Sequence, residues 1–161
     1  MRTPISRLAA LTAVLALLPA ASAFAAPPAR QATLNSTSPS FNWSGTGSGV
    51  VFTSTVGNRV GCNPVAFACD LTLIKTDEPG DIAFTTDSTD KTLVDADLHV
   101  YESDADGTQG ELWGESTGGT PQEAVAVTDT QPGYWLVKVD YYLGAGTYNG
   151  TATFTPAPTT P

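Results

Sequence analysis

Basic residues are scarce in this 161-residue chain: seven Lys and Arg stand against 16 Asp and Glu, with a single His. Two of the seven, Arg2 and Arg7, precede the first apolar run, so the rest of the chain carries five basic against 16 acidic groups, formally −11. A surface of that sign repels phosphate backbones, which excludes nucleic acid and anionic membrane as partners and suits cations, neutral or basic partners, or plain solubility. Cysteine is nearly missing as well, with Cys62 and Cys69 alone, and the one imidazole, His99, lies 30 residues beyond the second of them. A lone Cys pair without further ligands disfavours zinc. No Gly-x-Ser-x-Gly segment occurs, so the chain shows no recognisable setting for a catalytic nucleophile. No period of 20–50 residues repeats, which excludes a solenoid or propeller. Apolar runs are short: Leu8–Leu18 is the longest, about 11 residues against the roughly 30 Å of a bilayer core, so no membrane span is expected.

That run has the build of an export leader. Arg2 and Arg7 form a positive start, Leu8–Leu18 is apolar except for Thr12, and Pro19 breaks the helix before small residues. Ala21-Ser22-Ala23 fits the small-x-small rule, so residues 1–23 read as a signal peptide, with a cut after Ala25 as the second choice. The protein is therefore expected to be secreted, and a disulfide between Cys62 and Cys69 follows from the oxidising exterior. Closing a loop of about eight residues contributes roughly 2.5 kcal/mol in the chain-entropy model.

What is abundant is β pattern. Residues 24–39, rich in Ala, Pro, Ser and Thr, read as a flexible lead-in, 156–161 as a flexible tail, and 40–155 as one domain. Within the domain, Asp70–Ile74 and Asp81–Thr86 alternate across a Glu78-Pro79-Gly80 turn. Asp97–Tyr101 places Leu98 and Val100 on one face and His99 and Tyr101 on the other. Glu111–Gly114, Glu123–Thr128, Tyr134–Leu143 and Tyr148–Phe154 follow, and Phe41–Trp43 and Val50–Thr55 bring the total to eight or nine short strands. Strand centres every ~10–15 residues, turn residues between them and no helical segment predict an all-β, two-sheet antiparallel β-sandwich.

Three runs in order, Asp95-Ala-Asp97-Leu-His-Val-Tyr101, Pro132-Gly-Tyr-Trp-Leu-Val-Lys-Val139 and Gly146-Thr-Tyr148, resemble the bacterial pre-peptidase C-terminal domain. Its pattern is an Asp-x-Asp-Leu strand, a Pro-Gly-x-Tyr turn into a Val-rich strand, and a closing Gly-x-Tyr strand, and the match covers residues 69–155. The resemblance implies a secreted, jelly-roll-like sandwich, a non-catalytic role beside secreted hydrolases, and calcium binding in some members. The segment from Phe41 to Cys69 departs from that pattern.

The candidate metal ligands are Asp95, Asp97, Asp104 and Asp106, with Ca²⁺ the cofactor expected of all-oxygen donors. Asp95 and Asp97 are two apart on a strand and share a face. Glu102-Ser-Asp104-Ala-Asp106-Gly107 opens like a calcium loop, but Trp113 stands where an EF-hand needs its bidentate carboxylate, so Asp-Gly also reads as a plain hairpin turn. Of Trp43, Trp113 and Trp135, the last sits in the inward phase of its strand, and Trp113, in a Gly/Glu-rich setting, is the candidate ligand-binding ring. The expected protein is a monomeric, secreted, non-catalytic module binding an extracellular protein or polysaccharide. Two alternatives stay open: a small carboxylate-dependent hydrolase, and a protease inhibitor presenting Asn63–Phe67 at the tip of the Cys62–Cys69 loop.

Overall fold

The computed structural model describes residues 28–49, 69–89 and 94–158. Val50–Thr55, Cys62, the Asn63–Phe67 tip and the leader lie outside the described residues. Eight strands follow in chain order: β1 (Arg30–Leu34), β2 (Ser40–Gly49), β3 (Cys69–Thr76), β4 (Gly80–Ser88), β5 (Val94–Ser103), β6 (Gln109–Ser116), β7 (Glu123–Thr130) and β8 (Gly133–Pro156). The all-β architecture expected from the alternation is present, and among the described residues no helix is long and apolar enough to cross a membrane.

β8 organises the molecule. Its first half, from Gly133 to Gly144, lies between β3 and β5; its second half, from Gly144 to Pro156, lies between β2 and β4. The hydrogen-bonded order is therefore β1-β3-β8-β5-β6 in one leaf and β2-β8-β4-β7 in the other, with one bent strand shared by both. The apolar faces of the leaves meet in one core. Ile74, Leu98, Val100, Trp135, Val137 and Val139 come from the first leaf, and Trp43, Ile82, Phe84, Val127, Tyr148 and Phe154 from the second. Period-2 alternation is what lets each strand supply this face: β4 reads buried-exposed without a break from Gly80 to Ser88.

Three expectations need correction. Tyr134–Leu143 and Tyr148–Phe154 are not separate strands, because Gly144-Ala145-Gly146 is a bend and not a turn. Gly144 has φ 89°, open to glycine and costly for other residues, and pairing continues on both sides of it. A bulge at the same corner pairs Asp95 with Leu143 and Ala96 with Tyr141, leaving Tyr142 as the extra residue on β8. Strands that change sheets at such bends make the corners of sandwiches. Second, the lead-in contains β1: Leu34 is fully buried, Ala32 packs on the core, and Arg30 donates to Asp70 at 2.7 and 2.8 Å. Five residues with two apolar side chains are too few for composition to reveal. Third, β1 runs parallel to β3, so the pairing is not antiparallel throughout.

A polar chain crosses this core. Arg30 pairs with Asp70, the Tyr148 hydroxyl donates to Asp70 at 2.9 Å, and Trp43 Nε1 donates to the Tyr148 oxygen at 3.1 Å. Burial and the neighbouring Asp70 carboxylate push the Tyr148 phenol far above its ordinary range, so it stays a donor at any physiological pH. Gly45 of β2 is the approach that makes room, since a Cβ there would collide with Asp70 and Tyr148.

Candidate functional site

β6 is the edge of the first leaf, paired to β5 on one side among the described residues. Its register is broken twice. Tyr101 pairs with Leu112 and Val100 with Gly114, so Trp113 is an extra residue; a second irregularity lies between Tyr101 and Ser103. A bulge at a sheet edge re-aims a side chain and hinders addition of another strand. Here Trp113 is 47% exposed and Leu112 38%, the large apolar residues of this edge that remain open to solvent. Trp113 is nonetheless held in place. It meets buried Trp135 edge to face, with ring centroids 5.4 Å apart and planes at 85°. Trp135 is opposite Glu102 on β5, and its Nε1 has no hydrogen-bond partner among the described residues. Glu102 on β5 and Glu111 and Glu115 on β6 are exposed as well.

Trp113 was legible in the sequence as a ring in a polar Gly/Glu setting. Leu112 was not, because strict alternation in Glu-Leu-Trp-Gly leaves one of two neighbours inward. The inserted residue is what exposes both, and no local signal announces it.

The second cluster lies on β5, β6 and β8. Asp97 faces Asp140 in the β5–β8 register, and His99 faces Lys138. His99 Nε2 is 3.5 Å from Glu115 and Nδ1 3.5 Å from Asp140, while Lys138 Nζ is 3.0 Å from Asp140. Burial, reinforced by Asp95 and Asp140, pushes the Asp97 carboxyl up to about 7. Asp95 is also raised, first by burial and then by Glu123. Burial lowers His99 despite the adjacent Asp140 carboxylate. The imidazole is stacked on Tyr101 and lies between the Glu115 and Asp140 carboxylates, with no nucleophile beside it among the described residues.

The four carboxylates assigned to calcium do not form one site. Asp95 and Asp97 sit near the start of β5, and Asp104 and Asp106 in the turn after it. Seven extended residues, about 23 Å, separate Asp97 from Asp104. The Asp104–Gly107 segment closes as a turn: Gly107 donates to the Asp104 carbonyl at 3.0 Å, Asp106 Oδ1 accepts from the Thr108 amide at 2.9 Å, and Gly107 has φ 85°. That hydrogen bond lowers the Asp106 carboxyl. Among the described residues no three His, Cys, Asp or Glu side chains are grouped to hold a metal ion. At the start of β3, Cys69 is not a free thiol.

No protein-family model matches the sequence, and no curated protein is significantly similar to it. Solved structures do match. The pre-peptidase C-terminal domain of collagenase from Bacillus anthracis aligns over 81% of this chain and 100% of its own, with TM-score 0.51 and 11% identity. The likeness to that domain is one of fold. Two weaker likenesses are a periplasmic inhibitor of g-type lysozyme from Aeromonas hydrophila and a surface-associated copper-binding protein of Methylomicrobium album. The first has TM-score 0.49 and 10% identity over 78% of this chain and 96% of its own; the second has TM-score 0.49 and 6% identity over 80% and 99%.

Proposed function

We propose that the protein is a secreted, non-catalytic binding module that engages an extracellular protein or polysaccharide through the β6 edge. The supporting observation is Trp113: an indole carried outward by a bulge, about half exposed, yet fixed against a buried Trp. Ordering a loose aromatic side chain costs binding free energy, and a ring already held by its neighbour avoids most of that cost. The pre-peptidase fold agrees with an accessory role but does not name the ligand. The test is retention of the purified protein on insoluble polysaccharides and on proteins from the culture medium. Trp113→Ala should lose retention on whichever ligand binds while still unfolding cooperatively; a variant that binds as well as wild type overturns the assignment of this edge.

A second reading rests on Asp97. A half-buried carboxyl raised to about 7 is the kind of group that acid–base catalysis uses. A glycoside and peptide panel decides it, since turnover abolished in Asp97→Asn would replace the binding reading with a hydrolase.

A further inference from the structure

Charge is distributed unevenly along the chain. Between Lys91 and Lys138 there are nine Asp and Glu and no Lys or Arg. That stretch builds β5, β6, β7 and their connections, so among the described residues these strands carry acidic and no Lys or Arg side chains. Elsewhere the described cations are matched: Arg30 with Asp70, Lys75 with Asp77, Lys138 with Asp140. On the acidic side Glu102, Glu111 and Glu115 are exposed and have no Lys or Arg on their own strands. The exposed Leu112 and Trp113 stand between Glu111 and Glu115 along β6.

Resting on the binding reading above, we propose that the β6 edge docks an Arg- or Lys-rich segment of a partner protein. An exposed aromatic ring on an edge that carries only acidic charge is the chemistry that recognises a guanidinium or ammonium group on an aliphatic stem. The stem packs on Leu112 and Trp113 while the charge meets Glu102, Glu111 or Glu115. Neutral sugars gain nothing from the field, and anionic ones are repelled. Trp135, 4% exposed, backs the Trp113 ring edge to face, so the outer indole is held in one orientation for a partner. The two bulges of β6 keep the partner from simply extending the sheet, so side chains and not a ladder of main-chain bonds carry recognition.

The probe is a fluorescent synthetic peptide of alternating Arg and Ser, with a Glu/Ser peptide as control, titrated by anisotropy against the purified protein at 20 and 200 mM NaCl. Affinity for the Arg peptide should fall on the order of tenfold between the two salts, as charge-steered association does. Glu102→Gln/Glu111→Gln/Glu115→Gln should weaken it by a similar factor and flatten the salt dependence. Trp113→Ala, which changes no charge, should weaken it several-fold, and Trp113→Phe, which keeps a ring against Trp135, should restore most of it. Asp77→Asn/Asp87→Asn should have no effect. If the Asp77/Asp87 variant loses as much as the triple variant and Trp113→Ala loses nothing, attraction is non-specific and the proposal falls. Retention on a neutral polysaccharide that Trp113→Ala abolishes, without peptide binding, removes the cationic partner and leaves the binding module. Indifference of every probe to Trp113 removes both.

Discussion

Asp97 is the residue where environment and intrinsic chemistry differ most. Its unfolded carboxyl ionises near ~3.9, and its folded one at about 7. The raised value means the ionised form is disfavoured in the fold. The cost is present above pH 7, falls as pH drops through 7, and is gone near the unfolded value. Stability should therefore rise as pH is lowered from 8 toward 5, by about 1–2 kcal/mol once the half-exposure of the group is allowed for. His99 works the other way below ~6.5, since its lowered folded value makes protonation costly. Urea midpoints across this range should show the rise flattened in Asp97→Asn, which should also be the more stable protein at pH 8; equal midpoints at pH 8 would contradict it. Tyr148 offers a prediction free of pH. Tyr148→Phe removes the donor to Asp70 and the acceptor for Trp43 Nε1 in a buried site, so it should cost about 1–3 kcal/mol in denaturant unfolding.

At the scale of elements, β8 decides the architecture. It has partners on both sides over Tyr134–Asp140 and again over Tyr148–Thr153, and Gly144 is the point at which the strand passes from one leaf to the other. Gly144→Ala should cost about 1–2 kcal/mol, because a Cβ is strained at φ 89°. Gly45→Ala should cost more, because its Cβ meets Asp70 and Tyr148 and disrupts the polar chain across the core. Thermal midpoints rank the pair, and a smaller loss at Gly45 would show that β2 moves aside. β6 shows the opposite economy: two extra residues in eight give up ladder bonds and leave Trp113 outward.

For the whole molecule, the short Cys62–Cys69 loop predicts a modest covalent contribution. Alkylation of the unreduced protein followed by mass spectrometry should find no free thiol, and Cys62→Ser should lower stability by about 2–3 kcal/mol without unfolding a domain whose core is already large. Labelling of both cysteines would refute the bridge.

Most strands could be read from the sequence because burial on one face of a sheet imposes period-2 alternation locally: Leu98 and Val100, Val125 and Val127, Val137 and Val139 announce themselves whatever they pack against. The acidity and the exposed setting of Trp113 are likewise properties of composition. Pairing is not local. That β1 joins β3 in parallel, that Gly144 bends one strand instead of ending it, and that Asp97 meets Asp140 all depend on residues dozens of positions apart. Spacing along the chain already divides the four carboxylates into the pairs Asp95–Asp97 and Asp104–Asp106, and β5 keeps one pair near its start and the other beyond its end. A strand holds its two ends apart, and only the course of the chain in space decides which charges meet.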